Sequence, residues 1–334
     1  MLEVAVLGAG SWGTAIAKLF ADRGHNVRLW ARRGELAHAI EAHAENALYL
    51  PGHRLPATLH ATSQLERALV GADVVYFVVP SHGLREVVQE AIPYLPVHGP
   101  LVSATKGIEN GSLLLMTQVL EQTLPPAVRH RICAVGGPSF AHEVAAGAPA
   151  AVCIAGNDRE LTELARDQLS GGRFRVYSTE DVIGVEVGGA LKNVMAIAAG
   201  ASDGFGFGHN ARAALITRGL AEMARLATHL GANPLTLAGL SGMGDLVLTC
   251  TGDLSRNRRV GMELARGRTL SAVLGDMHMV AEGVRTAKSA HDLALREGID
   301  VPITNEVYLA LYEGKAPIDA VVSLMSRSPR HERD

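Results

Sequence analysis

At 334 residues the chain exceeds what one hydrophobic core usually supports, so two domains are expected. With 48% hydrophobic and 19% charged residues it has the composition of a soluble globular protein, and its apolar runs fall well short of the ~20 residues that cross a bilayer. A formal charge of −3 gives no general attraction to nucleic acid or an anionic membrane, so any anionic ligand must be held by a local site.

The N-terminus enters an apolar run directly, without the basic segment of a secretory signal. Cys133, Cys153 and Cys250 form no C-x-x-C pair and read as small buried residues of a reducing compartment. A cytoplasmic protein is expected. The 14 histidines show no ligand spacing, so no metal site is expected.

Through the first half, short β-rich runs alternate with helical patterns. "EVAVLG" (3–8) leads into "WGTAIAKLFADRG", where Ile16, Ala17, Leu19 and Phe20 fall at helical spacing. "NVRLWAR" (26–32) precedes the helical "GELAHAIEAHAENA", and "ADVVYFVVP" (72–80) is an unbroken apolar run suited to a strand buried on both faces. "LREVVQEAIPYL", "PLVSATKG", "SLLLMTQVLEQTL" and "RICAVGGP" continue the alternation, and "AAVCIAG" and "FRVYST" close it. This order implies an α/β fold, a Rossmann-like doubly wound and mostly parallel sheet with helices on both faces. After about Asp181 only helical periodicity remains, with Gly231 and Gly298 placed as helix C-caps. The composition shift near 181–190 divides the chain into a dinucleotide-binding domain, 1–185, and an all-helical substrate domain, 186–330.

Gly8, Gly10 and Gly13 give the spacing G-x-G-x-x-G between a strand and a helix, the setting a dinucleotide requires. Gly8 permits the tight turn, Gly10 admits a pyrophosphate to the backbone, and Gly13 lets helix and strand pack closely. The helix N-terminus then faces the negative charge. An NAD site usually carries Asp or Glu at the end of the second strand, about 20 residues on, to hold the ribose 2′-hydroxyl. This chain has Arg32 and Arg33 there. Guanidinium groups clamp a 2′-phosphate, so NADP(H) is the expected preference with NAD(H) still usable; the alternative is a solvated basic turn.

Four further stretches carry chemistry. "SATKGIE" puts Lys106 just beyond the C-terminal end of a strand, where open α/β sheets bind ligands, and "GGPSFAHEVA" places Gly137, Ser139 and Ala141 after the next. "EVGGALKNVMAIAAG" sets Lys192 and Asn193 in an apolar helix, where a lysine is costly unless paired, functional or snorkelling to solvent. "GLSGMGDLVLTCTGDLSRNRRVG" gathers Asp245, Thr249, Ser255, Arg256 and Asn257, the makings of an oxyanion site. If a helix starts there, Ser255 is its N-cap. Arg258 and Arg259 read as a solvated basic helix face.

These motifs in order, GAGSWGTA, SATKGIE, GGPSFAHEVA, GALKNVMAIAAG, GMGDLVLTC…SRNRRVG and the later VAEGVRTA, resemble the bacterial-type glycerol-3-phosphate dehydrogenase family across nearly the whole chain. The resemblance implies Lys192 as general acid/base, with Asn193 helping to hold substrate. It implies Lys106, Gly137, Ser139, Lys192, Asp245, Ser255, Arg256 and Asn257 as contacts to glycerol phosphate. Ser11, Trp12, Arg32, Arg33, Tyr49, Ala141, Val280 and Glu282 correspond to cofactor contacts, with Lys106 and Arg256 assigned to both ligands. The implied reaction is reversible reduction of dihydroxyacetone phosphate to sn-glycerol 3-phosphate by NAD(P)H, feeding glycerophospholipid synthesis. Lys192 would donate a proton to the carbonyl oxygen, and Asp245 would orient either Lys192 or a substrate hydroxyl. A homodimer is expected, the commonest symmetric assembly. Two other readings stand beside this one. One is a β-hydroxyacid-type dehydrogenase, which also uses a Lys-Asn pair; the other is a non-catalytic NADP(H)-sensing protein.

Overall fold

The computed structural model describes residues 1–277, 281–328 and 331. Its eight strands are β1 (Glu3–Leu7), β2 (Asn26–Trp30), β3 (Leu59–Thr62), β4 (Val74–Phe77), β5 (Leu101–Ser103), β6 (Ile132–Gly136), β7 (Ala150–Gly156) and β8 (Phe174–Thr179). They form one sheet in the order β3-β2-β1-β4-β5-β6-β7-β8. Every neighbouring pair is parallel except β6 and β7, so the sheet is mostly parallel as expected. The link between β6 and β7 carries a helix of only five residues, too short to span the sheet, and β7 runs back antiparallel.

The helices of this half are α1 (Ser11–Ala21), α2 (Gly34–His43), α3 (Leu65–Leu69), α4 (Leu84–Ala91), α5 (Met116–Thr123), α6 (Ala141–Ala145) and α7 (Arg159–Leu169). They cover both faces of the sheet. One core gathers Val4, Val6, Ile16, Phe20 and Tyr76, the other Ala5, Leu7, Phe77, Val88 and Leu120. Consecutive β1 residues thus point to opposite buried faces, which is why the strands read as continuous apolar runs. The chain leaves β1 on one side towards β2 and later on the other towards β4. That reversal opens a crevice at the strands' C-terminal ends.

β3 is absent from the alternation read in the sequence. It is a four-residue edge strand in which only Leu59 is fully buried, so its apolar signal is too weak to stand out.

The second half contains α8 (Val182–Gly204), α9 (Gly208–His229), α10 (Pro234–Ala238), α11 (Asp245–Thr251), α12 (Arg256–Ala265), α13 (Leu270–Gly275), α14 (Glu282–Glu297), α15 (Pro302–Tyr312) and α16 (Pro317–Met325), with no strand among the described residues. α8 opens at a cap in which Asp181 Oδ1 accepts from the Gly184 N–H at 2.9 Å, so residue 185 falls inside its first turn. By length and composition α8 could span a membrane. It is instead the central helix of this half, with 83% of its most apolar window buried by the rest of the fold.

α8 and α12 meet through glycine. A Cβ on Gly200 would run into the backbone of Arg258, and one on Gly261 into the carbonyl of Ile197. The two helices therefore touch backbone to backbone, without side chains between them.

Candidate active site

A cleft of about 500 Å³ runs from the end of β1 to the helical half. Its floor at the first end is the glycine turn. Gly8 adopts φ +124°, and a Cβ there would strike the Val78 carbonyl; a Cβ on Gly13 would strike the carbonyl of Gly8. A Cβ on Gly10 would meet nothing within 4 Å, so at this point the backbone lies open to the cleft. α1 begins here with no side-chain cap and no acidic residue in its first turn. Its free N–H groups are the kind that hold a phosphate. Buried Asn46 braces the turn, its Nδ2 donating to the Ala9 carbonyl (2.9 Å) and to Thr14 Oγ1 (2.8 Å). The sequence reading did not include Asn46, because nothing local marks an asparagine that acts on a turn so far upstream.

Ser11, Trp12, Arg32, Arg33 and Tyr49 line this end. Ser11 Oγ donates to the Tyr49 carbonyl at 2.6 Å, and Arg33 Nη2 donates to the Tyr49 hydroxyl at 2.9 Å. The indole N–H of Trp12 is buried without a hydrogen-bond partner among the described residues. Arg32 pairs with Glu86 Oε2 at 2.7 Å. Ala141 lines the cleft beside Phe140, and Glu282 closes it from α14, its carboxylate accepting from the Ser81 hydroxyl (2.7 Å) and N–H (3.3 Å). Val280 lies outside the described residues.

At the far end the helical half places Lys192 and Asn193 from the middle of α8 against Lys106 from the end of β5. Asp245, only 1% exposed, sits behind them. Its Oδ1 accepts from Lys192 Nζ at 2.5 Å and its Oδ2 from Lys106 Nζ at 2.8 Å. Lys192 also donates to Thr249 Oγ1 at 3.1 Å, and Lys106 to the Gly137 carbonyl at 3.4 Å. Burial pushes the Lys192 ammonium down to about 8; Asp245 opposes the shift and Lys106 reinforces it. Burial alone would raise Asp245, but the two ammonium groups outweigh it and hold the carboxylate below its ordinary range. The lysine in the apolar helix is thus paired, not snorkelling.

Ser139 lines the cleft, its hydroxyl donating to the Gly137 carbonyl at 3.0 Å. Gly137, at φ +130°, lies behind it against the backbone of Val152. Ser255 caps α12 as expected, its Oγ accepting from the Arg258 N–H at 3.2 Å. Asn257 Nδ2 donates to Asn193 Oδ1 at 2.9 Å and Asn257 Oδ1 accepts from the Gly283 N–H at 3.0 Å, so α8, α12 and α14 are joined at one amide. Arg256 reaches into the cleft, and among the described residues its guanidinium makes no hydrogen bond or ion pair. Arg258 departs from the solvated face expected for it. Its Nε donates to Asp203 Oδ2 at 2.7 Å, an ion pair between α12 and the last turn of α8 that is largely shielded from solvent. Arg259 is exposed, as expected.

Residues 3–162 match the family model described as NAD-dependent glycerol-3-phosphate dehydrogenase N-terminus, and residues 181–322 match its C-terminus. The chain belongs to the NAD-dependent glycerol-3-phosphate dehydrogenase family. Among the relatives, a glycerol-3-phosphate dehydrogenase [NAD(P)+] of Myxococcus xanthus is 53% identical, covering 98% of each chain. One of Geobacter metallireducens is 54% identical over 99% of each. The crystal structure of glycerol-3-phosphate dehydrogenase from Coxiella burnetii superposes with a TM-score of 0.93 at 40% identity, covering 98% of this chain and 99% of that one. Membership of the glycerol-3-phosphate dehydrogenase family extends over both halves, which favours this reading over a β-hydroxyacid-type dehydrogenase and over a non-catalytic sensor.

Proposed function

We propose that this chain is an NAD(P)-dependent oxidoreductase that reversibly reduces dihydroxyacetone phosphate to sn-glycerol 3-phosphate, in the service of glycerophospholipid synthesis. The observation that carries the reading is the buried Lys106–Asp245–Lys192 cluster facing one cleft with the glycine turn and Arg256.

The fit of a nicotinamide dinucleotide rests on the open backbone at Gly10, the uncapped start of α1, and a cleft volume in the range of small-molecule sites. Gly8, Gly10, Ser11, Trp12 and Gly13 would hold the pyrophosphate, and Arg32, Arg33 and Tyr49 the adenosine end. Ala141 and Glu282 would border the rest of the cofactor, with Lys106 and Arg256 at the junction of the two ligands. Bound NAD(P)H supplies the hydride. As negative charge develops on the substrate carbonyl oxygen, the Lys192 ammonium stabilises it by hydrogen bonding and then transfers its proton. In the oxidative direction neutral Lys192 takes the hydroxyl proton, a role its lowered pKa suits. Both oxygens of Asp245 are occupied by lysines, so it orients Lys192 and Lys106 and leaves the substrate hydroxyl to others.

The phosphate of the substrate is held by Arg256, whose guanidinium offers a bidentate fork, with Asn257 and the N-terminus of α12 beside it. Ser139, Asn193 and Ser255 border the carbon chain and phosphate, and Gly137 fixes the turn that carries Ser139. We read the cofactor domain as 1–185 and the substrate domain as 186–330. The passage from sheet to helices at α8 and the separate matches to 3–162 and 181–322 support this division. NADP(H) as the preferred cofactor, a homodimer and a cytoplasmic location complete the reading.

The test is spectrophotometric. The purified protein should consume the reduced-nicotinamide absorbance of NADPH when dihydroxyacetone phosphate is added, but not with unphosphorylated dihydroxyacetone at the same concentration. No consumption with the phosphorylated ketone would overturn the assignment.

A further inference from the structure

The end of β2 carries no carboxylate: Trp30 is followed by Ala31, Arg32 and Arg33. A carboxylate nevertheless reaches this place from another element. Glu86, in the first turn of α4, accepts a hydrogen bond from Arg32 Nη2 through its Oε2 at 2.7 Å. The two side chains are 61% and 54% exposed, and both line the cleft beside Arg33 and Tyr49. An ion pair this exposed adds little to folding stability. Its position at the mouth of the cleft is the more informative property.

We propose that Glu86 is a specificity-determining residue for the nicotinamide cofactor. It is a counter-ion that Arg32 exchanges for a ribose 2′-phosphate, and it is the acceptor for the 2′-hydroxyl when that phosphate is absent. This rests on the reading that Arg32 and Arg33 face the adenosine ribose.

The chemistry runs in opposite senses for the two cofactors. A 2′-phosphate and a carboxylate are both anionic acceptors, so they repel, and a phosphate seated on Arg32 competes with Glu86 for its guanidinium. Glu90, whose charge also acts on Arg32, adds to the repulsion. A 2′-hydroxyl can donate to Glu86 while the Arg32–Glu86 pair stays intact, which supplies the carboxylate that β2 lacks. Arg33, whose Nη2 donates to the Tyr49 hydroxyl, has no part in the Arg32–Glu86 pair. One exposed glutamate thus keeps both dinucleotides within reach of a β2 end that by itself favours the phosphorylated one.

The measurement is calorimetric titration of the full-length protein with NADP+ and with NAD+, for the parent, Glu86→Gln and Arg32→Ala. Glutamine keeps the shape and helix propensity of an exposed position, and an unchanged thermal transition confirms the fold. Glu86→Gln should tighten NADP+ about fivefold, the scale of one charge pair at roughly 4 Å in water, and weaken NAD+ severalfold. The gain for NADP+ should shrink at high salt. If the ratio of the two dissociation constants is unmoved in Glu86→Gln while Arg32→Ala selectively weakens NADP+, Glu86 has no such role and the 2′-phosphate reading stands. If Arg32→Ala weakens both dinucleotides equally, that reading is wrong and the proposal goes with it.

Discussion

Asp245 and Glu186 are both buried carboxylates packed at α8, one beside the cleft and one on the helix itself near its N-terminal end. Burial pushes both towards the neutral acid, yet they end on opposite sides of their ordinary values. Asp245 is held low by Lys106 and Lys192. Glu186 is pushed up to about 7 by burial; among the described residues only the Thr117 hydroxyl and N–H, at the start of α5, donate to its oxygens. Depth therefore sets the penalty, and the neighbouring charge decides whether the ion survives it. The cleft keeps an ionised triad carrying net positive charge, suited to an oxygen that becomes anionic. The joint between the halves keeps a helix cap that tolerates a proton.

The contrast can be broken first at its strongest point. Lys192→Ala should lower kcat by ~10²–10⁴-fold, the range of a lost general acid, while calorimetry finds NADPH binding little changed. Near-normal turnover would remove Lys192 from the chemistry.

Asp245→Asn tests the counter-charge itself. In the parent, reduction should decline above about pH 8 as Lys192 loses its proton, and oxidation should rise through the same range. Without Asp245 the two ammonium groups repel unopposed, so the Lys192 pKa falls further. The alkaline limb of reduction should move at least about one unit lower, with kcat down roughly tenfold or more. A pH profile that does not move would mean that Asp245 is a packing residue only.

Arg256→Ala removes charge-assisted hydrogen bonds worth ~1.5–3 kcal/mol. It should raise KM for dihydroxyacetone phosphate by about 10–100-fold with kcat changed much less. An effect confined to kcat would place Arg256 elsewhere in the cycle.

The effect that leaves catalysis untouched and reads only on stability belongs to Glu186. Its folded pKa lies above its unfolded one, so between about pH 4.5 and 7 the folded state binds more protons and stability falls as pH rises. The loss is roughly 3 kcal/mol from the size of the shift, a decline of several degrees in Tm. Asp245 has the opposite sign, contributing stability above its unfolded pKa that is lost as pH falls through its lower folded value. Calorimetric scans of Glu186→Gln should lack the decline over pH 4.5–7. An identical slope in the variant would assign that titration to another group.

What could be read in the sequence depended on how far apart the cooperating residues lie. The glycine turn was legible because strand, turn and helix are contiguous, and the Ser255 cap because its partner is three residues away. Lys192 stood out as a charge inside an apolar helix, but its pairing did not, because Asp245 is 53 positions downstream. Asp245 was accordingly left between two roles. Arg258 was misread for the same reason: its partner Asp203 closes a contact 55 positions long, and a run of basic residues looks solvated until its counter-ions are placed. Glu86 carried no local mark at all. Edge strand β3 was lost because a half-exposed strand has few apolar side chains to announce it.

The glycine contact between α8 and α12 bears on how substrate length is gauged. Lys192 stands on one helix and Arg256 on the other, and no compressible side chain separates their backbones at Gly200 and Gly261. Neither helix can slide or tilt without carrying its neighbour, so the backbone stations from which the Lys192 ammonium and the Arg256 guanidinium reach form a caliper of fixed spacing.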